Sequence, residues 1–186
     1  MKDLLVMKFG GTSMGSAERM RVAANLIKKE TALRPVCVVV SAMSKVTDLL
    51  LDTLRHAELG DRGAVEANRS KLLERHLETC RELLGTLPNA ESYEEITNNA
   101  IRDIAREFER ISNGVLMLGE RPPRSVDEAI AIGERLSSVL LARYLEATGV
   151  PARSVNGADV IVTDAVFGNA SPQMDPTREK SSEQLR

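Results

Sequence analysis

Aromatic side chains are scarce in this sequence of 186 residues, which has no tryptophan and only 3% aromatic residues. This disfavours a surface that stacks the bases of single-stranded nucleic acid, and also a sugar cleft built from aromatic rings. An excess of one charge is missing too, because 25 basic residues face 27 acidic ones and the net charge is −2. We therefore expect no nucleic-acid partner and a core built from aliphatic side chains.

Cysteine and long apolar runs are also sparse. Cys37 lies in an apolar run and Cys80 on a predicted helix, with neither C-x-x-C spacing nor clustered histidines. This pattern predicts structural thiols in a reducing compartment, and neither a metal site nor a disulfide framework. No run approaches the roughly 18 apolar residues that a membrane span needs, and the amino terminus lacks a signal peptide's apolar stretch. We expect a cytoplasmic protein with one core and no membrane partner.

The first 40 residues predict a strand, a helix and a second strand. Apolar residues 4–9 end in two glycines, Ser16 can cap a helix that runs to about Glu30, and Val36–Val40 is typical of a parallel strand covered on both faces. Because such crossovers are nearly always right-handed, the loops after both strands meet at one edge of the sheet. Open α/β folds bind ligands at that edge.

Helices are predicted over most of the remaining chain. A core-facing apolar stripe recurs at spacings of three and four between Ile96 and Leu118. The expected helices cover 47–58, 64–84, a segment opened by the capping box Ser92-x-x-Glu95, and a segment from the capping box Ser125-x-x-Glu128 to Thr148. Short strands are expected at 152–155 and 159–163, and the polar end of the chain can begin another helix.

The junction after the first strand carries the sharpest chemical signal. Its glycines, Gly10 and Gly11, let the backbone approach a bulky anion, and the peptide N–H groups and the following helix add partial positive charge. Lys8 adds a full positive charge beside them. The segment therefore predicts a phosphate-binding loop, and the alternative is a plain tight turn with a solvated lysine.

Two other motifs nearly fit this junction. The glycines at 10 and 15 have P-loop spacing, but Ser16 stands where the P-loop lysine belongs, which disfavours that reading. Residues 11–15 also read G-x-S-x-G, so a hydrolase with Ser13 as its nucleophile stays an alternative. Against it, no earlier strand supplies an oxyanion hole, and the two histidines, His56 and His76, lie in helical segments.

The loop after the second strand is rich in small hydroxyl side chains. Ser41 and Thr47 can donate hydrogen bonds to an oxygen-rich ligand at the edge shared with Lys8. The alternative is that Ser44 or Thr47 only caps the following helix.

A carboxylate and a glycine lie together inside the last long predicted helix. Helical spacing places Glu134 on a stripe of small and apolar residues, where a carboxylate needs a partner. Gly133 costs about 1 kcal/mol relative to alanine in a helix interior, which suggests a close approach that leaves no room for a Cβ. The partner of Glu134 is either a structural cation or the amino group of a ligand.

These segments together resemble the aspartate kinases of the amino acid kinase family. The matching residues are Lys8 to Ser13, Val39 to Thr47, Gly133 to Ser138, and Thr163-Asp164 with Phe167-Gly168. The resemblance implies an α/β fold, a three-layer αβα sandwich with a mainly parallel sheet. It also implies that ATP, with Mg²⁺, phosphorylates the side-chain carboxylate of L-aspartate, the first step of lysine, threonine and methionine biosynthesis.

The resemblance also implies roles for individual residues. Lys8 holds the transferring phosphoryl group, and Glu134 binds the amino group of aspartate. The residues implied to line the phosphate path are Gly10, Gly11, Thr12 and Ser13, and those implied to contact aspartate with Glu134 are Ser41, Ala42, Thr47 and Phe167.

Family members continue into a glycine-rich nucleotide segment and, in most cases, regulatory domains, which residues 1–186 do not contain. We therefore expect this chain to hold the amino-acid-binding part, to form a homo-oligomer, and to phosphorylate aspartate weakly or not at all alone. The competing hypothesis is a catalytically silent chain that self-associates, since half a sheet leaves an open strand edge and an exposed apolar face.

Overall fold

Two strands and six α-helices form across residues 3–185, which the computed structural model describes. A short 3₁₀ helix, Gly157–Asp159, precedes the last of them. In chain order the elements are β1 (Leu5–Phe9), α1 (Ala17–Thr31), β2 (Val36–Val40), α2 (Val46–Glu58), α3 (Arg62–Leu84), α4 (Ala90–Leu118), α5 (Pro123–Ala147) and α6 (Met174–Gln184).

The two strands pair in parallel, in register from Leu5 opposite Val36 to Phe9 opposite Val40. α1 provides the crossover between them, and the Ser16 hydroxyl accepts a hydrogen bond from the Arg19 N–H at its first turn. The predicted strand–helix–strand unit is confirmed, so the loops after β1 and β2 leave the sheet at the same edge.

Helices cover only one face of this sheet in the described part of the chain. Phe9 and Val40 pack against the core, whereas Val6 and Val39 on the opposite face are 60% and 47% exposed. The prediction that β2 is covered on both faces is therefore wrong within residues 3–185. An outer helix layer against Val6 and Val39 would be needed to complete a three-layer sandwich, and the described elements do not supply it.

Helices α2 to α5 pack against one another and contain most of the hydrophobic core. The apolar stripe predicted on α4 is confirmed in its middle, where Ile104, Phe108 and Val115 are buried. At its ends the prediction is wrong, because Ile96 and Leu118 are exposed. The buried stripe instead begins at Thr97 and Ile101, so near the start of α4 it is displaced by one residue from the predicted stripe, and it ends at Val115.

Both predicted capping boxes lie inside their helices. α4 begins at Ala90, after Asn89 in a left-handed conformation with φ 59°, and α5 begins at Pro123. Proline is preorganised for the first helical position, so it starts α5 two residues before Ser125. The hydroxyls of Ser92 and Ser125 therefore start no helix.

The two strands predicted near the end of the chain are absent from the described structure. The Asn156 side chain accepts the Ala158 N–H, and this local hydrogen bond turns the chain into the 3₁₀ helix instead. Thr163 forms only an isolated antiparallel bridge with Pro172. Local side-chain hydrogen bonds thus replace the expected strand pairing.

None of the described helices has the length and apolarity to cross a membrane. Both cysteines are free, and burial raises the pKa of the Cys80 thiol to about 12. This thiol therefore stays protonated and unreactive at neutral pH.

The stability of the fold should depend on one buried histidine of α3. His76 is fully buried, its Nδ1–H donates to the Leu72 carbonyl, and its Nε2 has no partner in the described structure. Burial lowers the pKa of His76 from 6.5 to about 4. The unfolded chain binds this proton below pH 6.5 and the folded chain does not, so stability falls as the pH falls from 6.5 towards 4.

We expect urea unfolding to show a loss of about 2 kcal/mol between pH 7 and pH 5. His76→Leu should flatten this decline, whereas His56→Gln, which changes a more exposed histidine, should preserve it. A decline that is equally steep in the His76 variant would contradict this assignment.

Candidate functional site

The chain turns sharply where β1 ends. The N–H groups of Ser13 and Met14 both donate to the Gly10 carbonyl, at 3.0 and 3.1 Å, and the Met14 side chain is fully buried. Lys8, two residues before Gly10, is exposed and lies opposite Val39 of the paired strand. The result is a tight loop, residues 10–15, that we call the glycine loop.

The glycines of this loop have different surroundings. A Cβ at Gly10 would meet no atom within 4 Å, whereas a Cβ at Gly11 would lie 3.1 Å from the Ala42 carbonyl oxygen. A Cβ at Gly15 would lie 2.8 Å from the Ser44 Oγ. Gly10 therefore leaves an open approach for a ligand, while Gly11 and Gly15 make room for the loop that follows β2.

Alanine substitution should separate these two roles. We expect Gly10→Ala to change the free energy of unfolding by less than about 0.5 kcal/mol, since the new methyl group meets open space. Gly11→Ala should destabilise the chain by about 1 to 3 kcal/mol through overpacking. Urea unfolding of both variants checks this, and equal losses would contradict the division of roles.

The loop after β2, residues 41–45, packs directly on the glycine loop, and we call it the second loop. Its first residue, Ser41, donates its N–H to the Phe9 carbonyl at 3.0 Å, and the Ser44 hydroxyl donates to the Gly11 carbonyl at 2.9 Å. Neither Ser44 nor Thr47 caps α2, because its N-cap residue is Lys45 and no side-chain capping bond forms. The capping alternative is therefore wrong for both hydroxyls.

Helix α5 closes on the second loop at Gly133. A Cβ there would lie 2.7 Å from the Ala42 Cβ and 3.1 Å from a Val46 methyl carbon. The close approach predicted from a glycine inside a helix is confirmed. Ala42 thus lies between the glycine loop and α5, and Thr47, half-buried, follows in the first turn of α2.

Glu134 is half-buried beside this contact and forms no ion pair in the described structure. The neighbouring Arg135 binds Glu107 of α4 instead, with Nη2 2.8 Å from Oε1, and its hydrogen bond holds the pKa of the Glu107 carboxyl below its usual range. The sequence analysis did not identify Glu107 as the partner of Arg135. The Glu134 carboxylate remains available to a ligand cation.

The segment after α5 attaches to the face of the helix that carries Glu134. The Gly168 N–H donates to Asp127 Oδ2 at 2.7 Å, and the hydroxyls of Ser138 and Ser154 are 2.8 Å apart. Asp127 precedes Glu134 by two helical turns, about 10 Å, and Ser138 follows it by one turn. Glu134 therefore lies between two attachments of the same segment.

Phe167 lies beside the first turn of α5, away from the other predicted site residues. Its ring is 45% exposed, with the Arg124 guanidinium 5.8 Å from the ring centroid. Arg124 is in the first turn of α5, about 15 Å along the axis from Glu134.

Of the predicted site residues, the structure brings the glycine loop, the second loop and Gly133 into contact. It shows no hydrogen bond or ion pair from the Lys8 ammonium within residues 3–185.

Two arginines that sequence reasoning missed brace the glycine loop. Arg19 donates to the Thr12 carbonyl at 2.9 Å, and Arg75 of α3 reaches the Gly15 carbonyl at 3.5 Å. Arg19 did carry a signal, because a cation in the first turn of a helix opposes the helix dipole and so indicates another role.

The geometry does not support a Ser–His hydrolase. Ser13 has no hydrogen bond to either histidine in the described structure. His76 is buried against its own helix, and His56 faces Asp61, whose carboxyl oxygen lies 3.1 Å from its Nδ1. A serine nucleophile needs a base within hydrogen-bond reach, which neither histidine provides here.

Comparisons with known proteins agree with this architecture. The sequence model of the amino acid kinase family matches residues 3–185. The chain is 35% identical to the chloroplastic aspartokinase 1 of Arabidopsis thaliana over 163 residues, 86% of this chain and 26% of that protein. It is 34% identical to the aspartokinase of Chlamydia trachomatis over 170 residues, 91% of this chain and 34% of that protein.

Solved aspartokinases share the fold. E. coli aspartokinase III in complex with aspartate and ADP superposes with a TM-score of 0.79 at 23% identity, covering 98% of this chain and 38% of the other. Clostridium acetobutylicum aspartate kinase gives a TM-score of 0.70, covering 100% and 37%. These likenesses confirm the predicted α/β fold. The chain spans a quarter to a third of the two curated relatives, from 26% to 34% of their length.

Proposed function

This chain belongs to the amino acid kinase family, and we propose on that premise that it forms the aspartate-binding part of an aspartate kinase. The observation that carries the proposal is the mutual packing of the glycine loop, the second loop and Gly133. The N–H groups of Ser13, Met14 and Gly15 already donate within the glycine loop, so in this proposal the phosphate chain meets the start of the loop. The hydroxyls of the second loop and the Glu134 carboxylate form the acceptor side.

The donor side fits a phosphate chain. The Lys8 ammonium has no partner in the described structure, and the space beside Gly10 is open. In the proposed complex Lys8 holds the γ-phosphoryl group of ATP, and Gly10 to Ser13 line the phosphate path. Negative charge on the transferring phosphoryl group is redistributed in the transition state. A protein contributes to this chemistry mainly by placing fixed positive charge there and by positioning the reactants.

Magnesium would be held through the nucleotide. No group of three or more His, Cys, Asp or Glu side chains among residues 3–185 could hold a metal ion. Mg²⁺ commonly binds through substrate phosphates and waters, and when bound it neutralises their charge. The proposal therefore assigns no protein ligand to it here.

The acceptor side fits a small acidic amino acid. Glu134 pairs with the ammonium group of aspartate, and Ser41, Ala42 and Thr47 contact its oxygens. Phe167 stacks against Arg124 at the start of α5, so its proposed contact with aspartate requires the segment that carries it to move towards Glu134. One side-chain carboxylate oxygen forms a bond to the γ-phosphorus while the bond from that phosphorus to the β,γ-bridging oxygen breaks. ADP leaves and 4-phospho-L-aspartate forms, without a proton transfer. The residues act by holding the two reactants in line.

Calorimetry with the 186-residue chain tests the acceptor assignment. L-Aspartate should bind. L-Asparagine should bind at least about tenfold more weakly, because its neutral side-chain amide cannot make the charge-assisted hydrogen bonds that the carboxylate of aspartate accepts. No binding of L-aspartate, or equal binding of both, would contradict the proposal.

We expect ATP turnover by this chain alone to be weak or absent. The cytoplasmic location of the protein stays a prediction.

A second candidate, self-association without catalysis, has one observation in its favour. The uncovered face of the sheet exposes Leu4, Val6 and Val39 by 58%, 60% and 47%. Lys8 shares this face and lies opposite Val39, so the patch is apolar with one cation in it. Exposed apolar side chains on an uncovered sheet face are typical of an interface. Light scattering should show a homo-oligomer that Val39→Lys dissociates, and a monomer at all concentrations would exclude this candidate.

A further inference from the structure

The Ser44 hydroxyl connects the two loops of the proposed site. We propose that Ser44 is a positioning residue, which sets the glycine loop at a fixed distance from the second loop and hence the phosphoryl donor from the acceptor carboxylate. This inference rests on the proposed function and adds to it a residue that touches neither reactant.

The contacts of Ser44 are specific to the interface between the loops. Its hydroxyl donates to the Gly11 carbonyl at 2.9 Å, in a part-buried hydrogen bond between residues 33 apart in sequence. A Cβ at Gly15 would lie only 2.8 Å from the same oxygen. Ser44 therefore fills the space that two residues of the glycine loop leave open.

The backbone next to Ser44 is built for this contact rather than for capping. Lys45 has φ 64°, a left-handed conformation that side-chain-bearing residues rarely adopt. This residue is the N-cap of α2, and no side chain makes a capping hydrogen bond there. A serine at this place commonly caps the helix, yet its hydroxyl is committed to the other loop.

Phosphoryl transfer makes the spacing between the loops consequential. The glycine loop would hold the donor and the second loop the acceptor, and an error of about 1 Å in such a geometry can cost about a hundredfold in rate. Besides Ser44, the Ser41 N–H donates to the Phe9 carbonyl, but that bond extends the sheet and fixes only the start of the second loop. The contact of Ser44 fixes its middle.

Amide hydrogen exchange on the 186-residue chain tests the inference without requiring turnover. Ser44→Ala should speed exchange of the Ser13 and Met14 amides about five- to tenfold, as expected for one lost hydrogen bond. Amides in the middle of α5 should keep their rates. The matched control, Ser70→Ala on the exposed face of α3, should change neither set. Unchanged loop exchange in Ser44→Ala would overturn the inference.

A second hydrogen-exchange measurement adds L-aspartate. In the wild type it should slow exchange of the Ser13 and Met14 amides, and in Ser44→Ala it should bind within about threefold of wild-type affinity without slowing them. Equal slowing in both chains would overturn the role of Ser44. If aspartate binds neither chain, the proposed function fails, and the exchange rates without ligand still decide the inference about Ser44.

A double-mutant cycle distinguishes a direct contact from general loosening. Gly15→Ala places a methyl group against the Ser44 Oγ, so it should speed loop exchange strongly in the wild type and less in the Ser44→Ala background. Strictly additive effects would contradict the direct contact.

Discussion

Replacing Gly133 with alanine is expected to destabilise the fold by about 2 kcal/mol, because the new methyl group overlaps the second loop. The ideal Cβ lies 2.7 Å from the Ala42 Cβ, closer than carbon atoms can approach without movement. The second loop or α5 must shift, so L-aspartate binding should weaken as well. Urea unfolding measures the first effect and calorimetry the second.

Gly114 provides the matched control within another long helix. It lies inside α4, where a Cβ would meet no atom within 4 Å. Gly114→Ala should therefore stabilise the chain by up to about 1 kcal/mol through helix propensity alone. Opposite signs for the two glycines support close packing at Gly133, and stabilisation by both substitutions would show that α5 does not press on the second loop.

Replacing Glu134 with glutamine is expected to lower the affinity for L-aspartate about 10- to 100-fold. Glutamine keeps the size of the side chain and removes the charge that would pair with the ammonium group of the ligand. Because Glu134 makes no ion pair in the described structure, the free energy of unfolding should change little. Calorimetry and urea unfolding together measure both quantities.

Glu107→Gln is the control for this prediction. It removes the same charge from a carboxylate that already pairs with Arg135, so it should cost stability and leave aspartate affinity within about threefold. If Glu107→Gln weakened aspartate binding as much as Glu134→Gln, the assignment of Glu134 to the ligand would be wrong.

The sequence predicted the elements that depend on local patterns. The β-branched run of β2, the Ser16 cap of α1 and the glycine inside α5 each reflect a strong local preference, and each is confirmed. The meeting of two loops at one sheet edge also followed, because the handedness of a βαβ unit leaves little choice.

The remaining features depend on contacts between distant segments, which one sequence does not reveal. Two glycines of one loop looked alike, but only the fold shows that Gly10 faces open space and Gly11 faces the second loop. The same holds for Arg135, whose partner Glu107 lies 28 residues away on another helix. At 152–163, a single turn formed by Asn156 outweighed a weak strand pattern.

The central claim is that Lys8 faces a phosphoryl group directly beside an acid-binding pocket. A non-hydrolysable phosphonate analogue of 4-phospho-L-aspartate spans both places, so its affinity relative to L-aspartate reports on the phosphate-binding side, and Lys8→Met isolates the contribution of the lysine. We predict that the wild-type chain binds the analogue at least about tenfold more tightly than L-aspartate, and that Lys8→Met abolishes this difference without weakening L-aspartate binding. A difference that persists in Lys8→Met, or is missing in the wild type, would contradict the account.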